Sequence, residues 1–277
     1  MSSFGTRLTE VFATTGHLCV GIDPHPYLLA EWGLGDDAAG LREFGLRVVD
    51  AAAGRVGIIK PQVAFFERHG AAGYAALEET IAAGRAAGLL VIADAKRGDV
   101  GSTVEAYGQS WLTPGSPLEA DAMTISAFQG LGSIDAPHEL ALANGKGLFV
   151  LAATSNPESF SVQGARVASG STVSASIIDG VHTWNRAENA PLGSVGVVIG
   201  ATVDFGEFGI NGSPLALTPI LAPGLGAQGA KFSDVGRIYG SAASNVIVSA
   251  SRSILAAGPS GLSAAIASQA AEVRAAI

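Results

Sequence analysis

One helix–strand repeat is visible in Gly73-Tyr-Ala-Ala-Leu-Glu-Glu-Thr-Ile-Ala-Ala-Gly-Arg85 and in the apolar run at residues 89–94 that follows it. Leu77 and Ile81 are four residues apart, which places them on one face of a predicted helix. The run at 89–94 is short and rich in apolar residues, which is typical of a strand buried on both faces, as in a parallel sheet. The stretch therefore predicts one α-helix followed by one parallel strand.

Similar apolar runs recur along the whole chain. Eight of them are candidate strands, at residues 18–23, 56–61, 89–94, 121–127, 147–154, 194–201, 217–222 and 245–250. Ala-rich stretches with helical periodicity lie between most of these runs. Eight βα units within roughly 250 residues favour a closed barrel over an open doubly wound sheet. We therefore predict an α/β fold, a single (β/α)8 TIM barrel whose one domain spans residues 1–277.

Three segments depart from this regular repeat. The first fifteen or so residues are predicted to form a helix that closes the bottom of the barrel. Residues 154–194 make a connection of about twice the usual length, which we predict to be a long loop plus a helix around residues 177–187. The segment Val203-Asp-Phe-Gly-Glu-Phe-Gly-Ile-Asn-Gly-Ser213 has no strong periodicity and is rich in turn formers, so we predict a mobile loop there.

The composition excludes several classes of function. The chain has 16 Lys and Arg residues against 24 Asp and Glu, a net charge of −8, and no basic stripe that could track a nucleic-acid backbone. No apolar run approaches the ~20 residues that span a bilayer, and the amino terminus lacks the apolar core of a signal peptide. We expect a soluble cytoplasmic protein that binds neither nucleic acid nor membrane.

Cysteine and histidine are not predicted to carry the chemistry. The single cysteine, Cys19, rules out an intrachain disulfide, and its place in the apolar run Leu18-Cys-Val-Gly-Ile22 favours a buried, inert thiol over a nucleophile. The five histidines show no metal-ligand spacing. The sequence therefore predicts no metal site.

The functional residues of a (β/α)8 barrel gather at the carboxyl ends of its strands. Polar residues follow most of the predicted strands: Asp23-Pro-His25 after the first, Lys60-Pro-Gln62 after the second, Asp94-Ala-Lys96 after the third, Ser126 after the fourth, Thr154-Ser155-Asn156 after the fifth, Pro223-Gly224 after the seventh and Ser251-Arg252 after the eighth. With the aspartate in the turn after the third strand, two lysines and three aspartates are expected to converge at one rim.

The third strand end has the densest charge pattern, in Val91-Ile-Ala-Asp-Ala-Lys-Arg-Gly-Asp-Val-Gly-Ser-Thr103. Side chains alternate across a strand, so Asp94 and Lys96 project from the same face and can touch. Asp99 lies in the turn beyond. Together with Lys60 the four charges alternate in sign, and such a network keeps Lys96 protonated. An ordinary surface salt-bridge cluster would show the same spacing.

A glycine-rich segment follows the seventh predicted strand. Pro223-Gly-Leu-Gly-Ala-Gln-Gly229 contains a G-x-G-x-x-G match, which occurs in dinucleotide folds and in loops that bind phosphate through backbone N–H groups. A dinucleotide fold would have the motif after its first strand and an acidic residue at the end of the next one. Here the next strand ends in Ser251-Arg252, so we favour a phosphate site in which Arg252 supplies a bidentate charge. A plain glycine-rich turn is the simpler alternative.

Together these residues resemble the orotidine 5′-phosphate decarboxylases of the longer, mycobacterial-like bacterial type, whose signature D-x-K-x-x-D ends the third barrel strand. The signature here is Asp94-Ala-Lys-Arg-Gly-Asp99. The other matching segments occur in the family order, at residues 21–23, 59–67, 120–125, 153–157, 223–229 and 249–252. The resemblance implies decarboxylation of orotidine 5′-phosphate to uridine 5′-phosphate and CO2 without a cofactor, the last step of UMP biosynthesis.

The same resemblance implies a role for each site residue. Lys96 would protonate the C6 carbanion, and Asp94 would lie against the departing carboxylate. Lys60 and Asp99 would complete the charge network, with Asp99 supplied by the other subunit of a homodimer. The residues implied to bind the nucleotide substrate are Asp23 and Lys60 at the ribose, Thr103 at the ribose of the neighbouring site, Ser155 at the pyrimidine, and Gln228, Gly229 and Arg252 at the 5′-phosphate.

Three other functions share part of this pattern. Magnesium-dependent sugar-phosphate decarboxylases or aldolases reuse D-x-K-x-x-D, but they have an acidic metal ligand where this chain has Lys60. A Schiff-base enzyme would use Lys96 or Lys60 as a neutral amine, which the flanking aspartates disfavour. A catalytically silent phosphate-ligand binding protein would not need the four charges, which are costly to keep together. Decarboxylation of orotidine 5′-phosphate without a cofactor would differ from the two enzymatic alternatives in two ways. Its activity would survive a chelator, and borohydride would not trap a lysine adduct with the substrate.

Overall fold

The computed structural model describes residues 2–226 and 229–277, and within them eight parallel strands close into a barrel in chain order. The strands are β1 (Leu18–Ile22), β2 (Ile58–Pro61), β3 (Leu90–Arg97), β4 (Ala122–Ile125), β5 (Gly147–Ala153), β6 (Val195–Ile199), β7 (Ile220–Ala222) and β8 (Val246–Ala250). Each predicted apolar run overlaps one of these strands. The predicted (β/α)8 barrel is therefore confirmed.

The helices of the described residues alternate with the strands. They are α1 (Phe4–Thr14), α2 (Pro26–Glu31), α3 (Ala38–Ala52), α4 (Val63–Glu67), α5 (Gly70–Ala86), α6 (Gly101–Leu112), α7 (Asp135–Ala143), α8 (Phe160–Gln163), α9 (Val173–Ala187), α10 (Val235–Tyr239), α11 (Arg252–Leu255) and α12 (Gly258–Ala276). Of the residues that the structure describes, none belongs to a helix long and apolar enough to cross a membrane.

The irregular segments have the predicted kinds of structure. In the connection 154–194, the short helix α8 and the longer α9 follow the strand end, and α9 covers the helix expected around 177–187. Residues 203–213 form turns that lead into the 3₁₀ helix Ser213–Leu215. The mobility of this second segment stays a prediction.

Both faces of the strands are buried, which explains why they appear in the sequence as continuous apolar runs. Alternate residues of β1 and β2 belong to two different hydrophobic clusters, one inside the barrel and one between the strands and the helices. Cys19 and Ile58 lie among the side chains inside the barrel, whereas Val20 and Ile59 lie in the layer shared with the helices. Burial raises the pKa of the Cys19 thiol to about 12, so the thiol stays protonated at neutral pH.

The helix α1 closes the amino-terminal end of the barrel, as predicted. Phe4 and Leu8 are fully buried in the cluster inside the barrel, and the Phe4 ring meets Phe149 edge to face with centroids 5.9 Å apart. Arg7 fastens the helix from outside, because its guanidinium donates to Asp121 Oδ1 at 2.5 Å. The opposite end of the barrel, formed by the carboxyl ends of the strands, is therefore the open one.

Phe4 tests whether α1 belongs to the core. We expect Phe4→Ala to lower the free energy of unfolding by about 3–5 kcal/mol, because a buried ring is lost and a cavity remains. Urea-induced unfolding, followed by circular dichroism, measures the change. Phe4→Leu is the matched control and should cost about 1.5 kcal/mol or less, since it keeps most of the apolar volume. A loss below about 1 kcal/mol in Phe4→Ala would contradict the closing role of α1.

Candidate active site

A cavity of about 520 Å³ opens at the carboxyl ends of the strands. The strands are parallel, so their carboxyl ends meet at the same rim and bring residues distant in sequence together. Six of the predicted site residues line the cavity: Asp23, Lys60, Asp94, Lys96, Ser155 and Arg252.

Asp94 is the centre of the charged part of the cavity. Its Oδ2 accepts a hydrogen bond from Lys60 Nζ at 2.8 Å, and its Oδ1 accepts one from Lys96 Nζ at 2.5 Å. The hydroxyl of Thr124 donates a further hydrogen bond to Oδ1 at 2.9 Å. The side chains of Lys60 and Asp94 are buried, whereas 46% of the Lys96 side chain is exposed. One lysine therefore holds the carboxylate from the interior, and the other faces the cavity.

The two lysines determine the ionisation of Asp94. Burial alone would raise the pKa of Asp94, but the charges and hydrogen bonds of Lys60 and Lys96 outweigh burial and hold this pKa well below its usual range. Burial would likewise lower the pKa of Lys60, yet the negative charges of Asp94 and Asp23 raise it above its usual value. The buried pair is therefore charged at neutral pH.

The backbone at Lys96 differs from the regular strand that the sequence predicts. Lys96 has a φ of 47°, in the left-handed region that residues other than glycine rarely adopt. The pairing of β3 with β4 also shifts register between Ala93 and Arg97. The expected contact of Asp94 with Lys96 is present, but alternation along a regular strand does not explain it. A local irregularity of β3 turns Lys96 toward the carboxylate.

The side of the cavity formed by β1 and β8 contains two buried polar atoms without a hydrogen-bond partner among the described residues. They are Asp23 Oδ1 and Ser251 Oγ. An unpaired buried polar atom costs free energy, and a polar ligand that bonds to it removes that cost. Arg252, the first residue of α11, lines the same cavity and is exposed. This side of the cavity suits a ligand with hydroxyl and anionic groups.

The loop after β5 forms another part of the wall. Ser155 lines the cavity, and Gln163 at the end of α8 lines it as well. The Gln163 Oε1 accepts a hydrogen bond from Thr154 N at 2.8 Å, and its Nε2 donates to Thr154 Oγ1 at 2.9 Å. These bonds hold the short helix against the strand end beside Ser155.

Asp99 and Thr103 lie outside the cavity of their own chain, as far as residues 2–226 and 229–277 define its wall. The Asp99 Oδ1 accepts a hydrogen bond from Val100 N at 2.9 Å. Thr103 is exposed on the first turn of α6. The structure of one chain therefore does not bring these two predicted residues together with Lys96.

The glycine-rich segment after β7 is divided between cavity and surface. Residues 223–225 line the cavity, whereas Gly229 is exposed and does not contribute to the part of the wall that the structure describes. Gln228 lies outside the described residues. The segment follows β7, and Arg252 follows β8, which is the usual position of a phosphate site in this fold.

Several residues within the strands that line the cavity are not among the predicted site residues. Thr124 lies inside β4, whereas the polar residue expected there from the sequence was Ser126, beyond the strand end. Leu151, Val198 and Leu221 also line the cavity from inside their strands. Positions of this kind recur every second residue within an apolar run, but both strand faces are apolar, so the sequence does not show which alternate set faces the cavity.

The chain is similar to known proteins over nearly its whole length. A sequence model described as "Orotidine 5′-phosphate decarboxylase / HUMPS family" matches residues 16–265. The orotidine 5′-phosphate decarboxylase of Salinispora arenicola is 52% identical over 261 residues, which cover 94% of this chain and 92% of the relative. That of Streptomyces coelicolor is 50% identical over 262 residues, with coverage of 94% and 92%.

Solved structures agree with the sequence comparisons. A crystal structure from Streptomyces avermitilis, described as a candidate orotidine 5′-phosphate decarboxylase, has 47% identity and a TM-score of 0.95, and the match covers 100% of this chain and 96% of that one. The OMP decarboxylase of Leishmania donovani has 28% identity and a TM-score of 0.76, with coverage of 99% and 100%. The resemblance found in the sequence is confirmed: the chain belongs to the orotidine 5′-phosphate decarboxylase / HUMPS family.

Proposed function

We propose that the barrel domain, residues 1–277, decarboxylates orotidine 5′-phosphate to uridine 5′-phosphate and CO2 without a cofactor. The family and the names of the relatives support this reaction. The observation that carries the proposal is the Lys96 ammonium group, which faces the cavity and donates to the buried carboxylate of Asp94 at 2.5 Å. A proton donor and a fixed positive charge are thereby combined in one group.

The reaction needs such a group because of the electron pair that it leaves behind. Breaking the bond between C6 and the carboxyl carbon releases CO2 and leaves the pair in an sp² orbital, which the ring π-system cannot delocalise. A fixed ammonium in a site closed to water stabilises this charge more strongly than the same group in solution. Lys96 Nζ then donates its proton to C6, and the lysine regains a proton from solvent after the product leaves.

Asp94 and Lys60 support this step by holding the Lys96 ammonium group in position. Asp94 fixes the position of the Lys96 ammonium and, as an anion, lies against the departing carboxylate of the substrate in the proposed complex. Lys60 keeps Asp94 ionised and in place through the 2.8 Å hydrogen bond. Rate enhancements near the top of the usual range require about 20 kcal/mol or more of barrier lowering, so binding contacts remote from C6 must also contribute by positioning the base.

The unpaired polar atoms of the cavity support the proposed substrate contacts. Asp23, whose Oδ1 has no partner in the described part of the chain, is proposed to bind ribose hydroxyls together with Lys60. Ser155 is proposed to contact the pyrimidine. The 5′-phosphate is assigned to the segment after β7 and to the start of α11, through Gln228, Gly229 and Arg252. Arg252 is the natural anchor for the phosphate, because a guanidinium binds phosphate in bidentate fashion.

Lys60 weighs against the magnesium-dependent alternative. A metal ligand at the end of β2 would have to be an anion, whereas the residue there is a buried lysine paired with Asp94. The same pair weighs against Schiff-base chemistry, since the neighbouring carboxylates raise the pKa of Lys60 and so favour its charged form. Decarboxylation by electrostatics uses both lysines as the structure presents them.

Asp99 and Thr103 are proposed to complete the site of a second subunit in a homodimer. β3 and β4 are paired neighbours, and each is followed by an exposed apolar side chain. Val100 directly follows Asp99 after β3, and Phe128 lies in the loop after β4. Val100 is 53% exposed and Phe128 is 79% exposed. These two exposed side chains would be covered if this rim meets a second subunit. An aspartate from the partner would bring a negative charge to two lysines that share one carboxylate.

The activity itself is the first test. We expect the purified protein to consume orotidine 5′-phosphate in the presence of EDTA, followed as falling ultraviolet absorbance. Lys96→Ala should lower kcat by about 1,000-fold or more, because it removes both the proton donor and the fixed charge. The same variant should still bind uridine 5′-phosphate, measured by calorimetry. An inactive unmutated protein, or activity that depends on a divalent metal, would contradict the proposed function.

Subunit complementation tests the shared site. Lys96→Ala and Asp99→Ala chains are each expected to be nearly inactive. After subunit exchange, an equal mixture should regain about a quarter of the unmutated activity, since half of the dimers are mixed and each mixed dimer has one intact site. The control is a mixture of Lys96→Ala with Asp94→Ala chains. It should stay inactive, because Asp94 and Lys96 of one site come from the same chain, so neither site of a mixed dimer has both residues. No recovery after verified exchange would count against the role of Asp99.

A further inference from the structure

The conformation of Lys96 requires a physical cause. Among the described residues, two that are not glycine have a positive φ, namely Lys96 and Asn189. Asparagine enters the left-handed region comparatively easily because its short side chain bonds to the nearby backbone, but lysine has no such aid. Strained backbone of this kind persists where the surrounding structure imposes it, and it is frequent at functional sites. The contacts of Lys96 should therefore identify the group that imposes the conformation.

The hydroxyl of Thr124 is hydrogen-bonded to the backbone of Lys96. Its Oγ1 accepts a hydrogen bond from the Lys96 backbone N–H at 2.9 Å and donates its own hydrogen to Asp94 Oδ1 at 2.9 Å. Thr124 is only 1% exposed. One side chain on β4 is thus bonded both to the main chain of Lys96 and to the carboxylate that the Lys96 ammonium contacts.

The strand pairing explains why a side chain takes this position. β3 and β4 pair at Ala93 with Met123 and again at Arg97 with Ile125, so four steps along β3 correspond to two along β4. The extra residues of β3 cannot all find backbone partners on β4. The Thr124 hydroxyl accepts the N–H of Lys96 at this point, in place of a backbone carbonyl.

We infer that Thr124 is a positioning residue for the proposed decarboxylation: its hydroxyl holds the left-handed backbone of Lys96 and the Oδ1 of Asp94 in one fixed geometry. This inference rests on the proposed function. Without the hydroxyl, the Lys96 N–H loses its acceptor and Oδ1 loses a donor, so the backbone relaxes and the ammonium moves off its line to C6. Asp23 and Arg252, which are proposed to bind the ribose and the phosphate, have no hydrogen bond to Thr124 in the described structure. The change should therefore slow the chemical step and leave nucleotide binding intact.

Thr124→Val against Thr124→Ser is the central comparison. Valine keeps the shape of threonine and removes the hydroxyl, whereas serine keeps the hydroxyl. We expect Thr124→Val to lower kcat by about 10- to 100-fold, the usual effect of losing a hydrogen bond to a charged group. KM and the dissociation constant of uridine 5′-phosphate should stay within about threefold of the unmutated values, and Thr124→Ser should keep kcat within about threefold.

Two controls separate positioning from a merely structural effect. Thr80→Val makes the same change at another fully buried threonine, on α5 and outside the cavity, and should leave kcat unchanged. In a Lys96→Ala background, Thr124→Val should lower the residual rate much less than it does in the unmutated protein, because the residue acts through Lys96. Thr124→Ala serves as a second hydroxyl-free variant if Thr124→Val fails to fold.

A crystal structure of the hydroxyl-free variant gives a readout that does not depend on turnover. The φ of Lys96 is expected to become negative and its ammonium to leave Asp94 Oδ1. An unchanged Lys96 conformation would overturn the inference, as would kcat within threefold of the unmutated value or equal damage in Thr124→Ser. If the unmutated protein does not turn over orotidine 5′-phosphate, the proposed function fails, while the conformation of Lys96 in the variant still decides the role of Thr124.

Discussion

The ionised carboxylate of Asp94, shared by Lys60 and Lys96, is the interaction on which the rest of the site depends. A buried carboxylate without a partner costs several kcal/mol, whereas here a charged donor bonds to each oxygen. Lys60 is buried with the carboxylate and fixes it, and Lys96 faces the cavity. Among the described residues that line the cavity, Lys60, Lys96 and Arg252 face Asp23 and Asp94, so the formal charges leave one excess positive charge. That excess suits an anionic substrate and the carbanion that decarboxylation leaves.

The barrel allows this costly arrangement because its two ends differ: the amino-terminal end closes the core, and the carboxyl ends of the strands carry the site. The amino-terminal end is closed by α1, whose Phe4 and Leu8 complete the cluster inside the barrel. A second buried ion pair, between Lys146 and Glu119 at 2.8 Å, precedes β4 and β5 and so lies at that same end. The carboxyl ends are free to carry unpaired polar atoms such as Asp23 Oδ1, which has no partner among the residues described. A ligand can satisfy those atoms when it binds.

Much of this arrangement is predictable from the sequence. The remaining features are not, and the reasons are physical. Burial of both strand faces makes all eight strands visible as apolar runs, and the polar residues after them include most of the polar residues that line the cavity. The left-handed backbone of Lys96 was not predictable, because side-chain alternation assumes a regular strand and β3 continues irregularly to Arg97. Thr124 is hidden within a buried strand, where a β-branched residue is ordinary. Gln163 belongs to a segment without periodicity, and the role of Asp99 depends on a second chain.

Whether the two lysines keep Asp94 ionised can be measured by NMR titration of its carboxyl carbon. The protein would be labelled with ¹³C at aspartate carboxyl carbons, and the Asp94 signal assigned by its loss in Asp94→Asn. The lysines hold the pKa of Asp94 well below its usual range, so its shift should stay that of a carboxylate as the pH falls from neutral to about 4, where ordinary aspartates are half protonated. A titration of this signal with a midpoint at or above about pH 4 would show that Lys60 and Lys96 do not hold Asp94 in its ionised form.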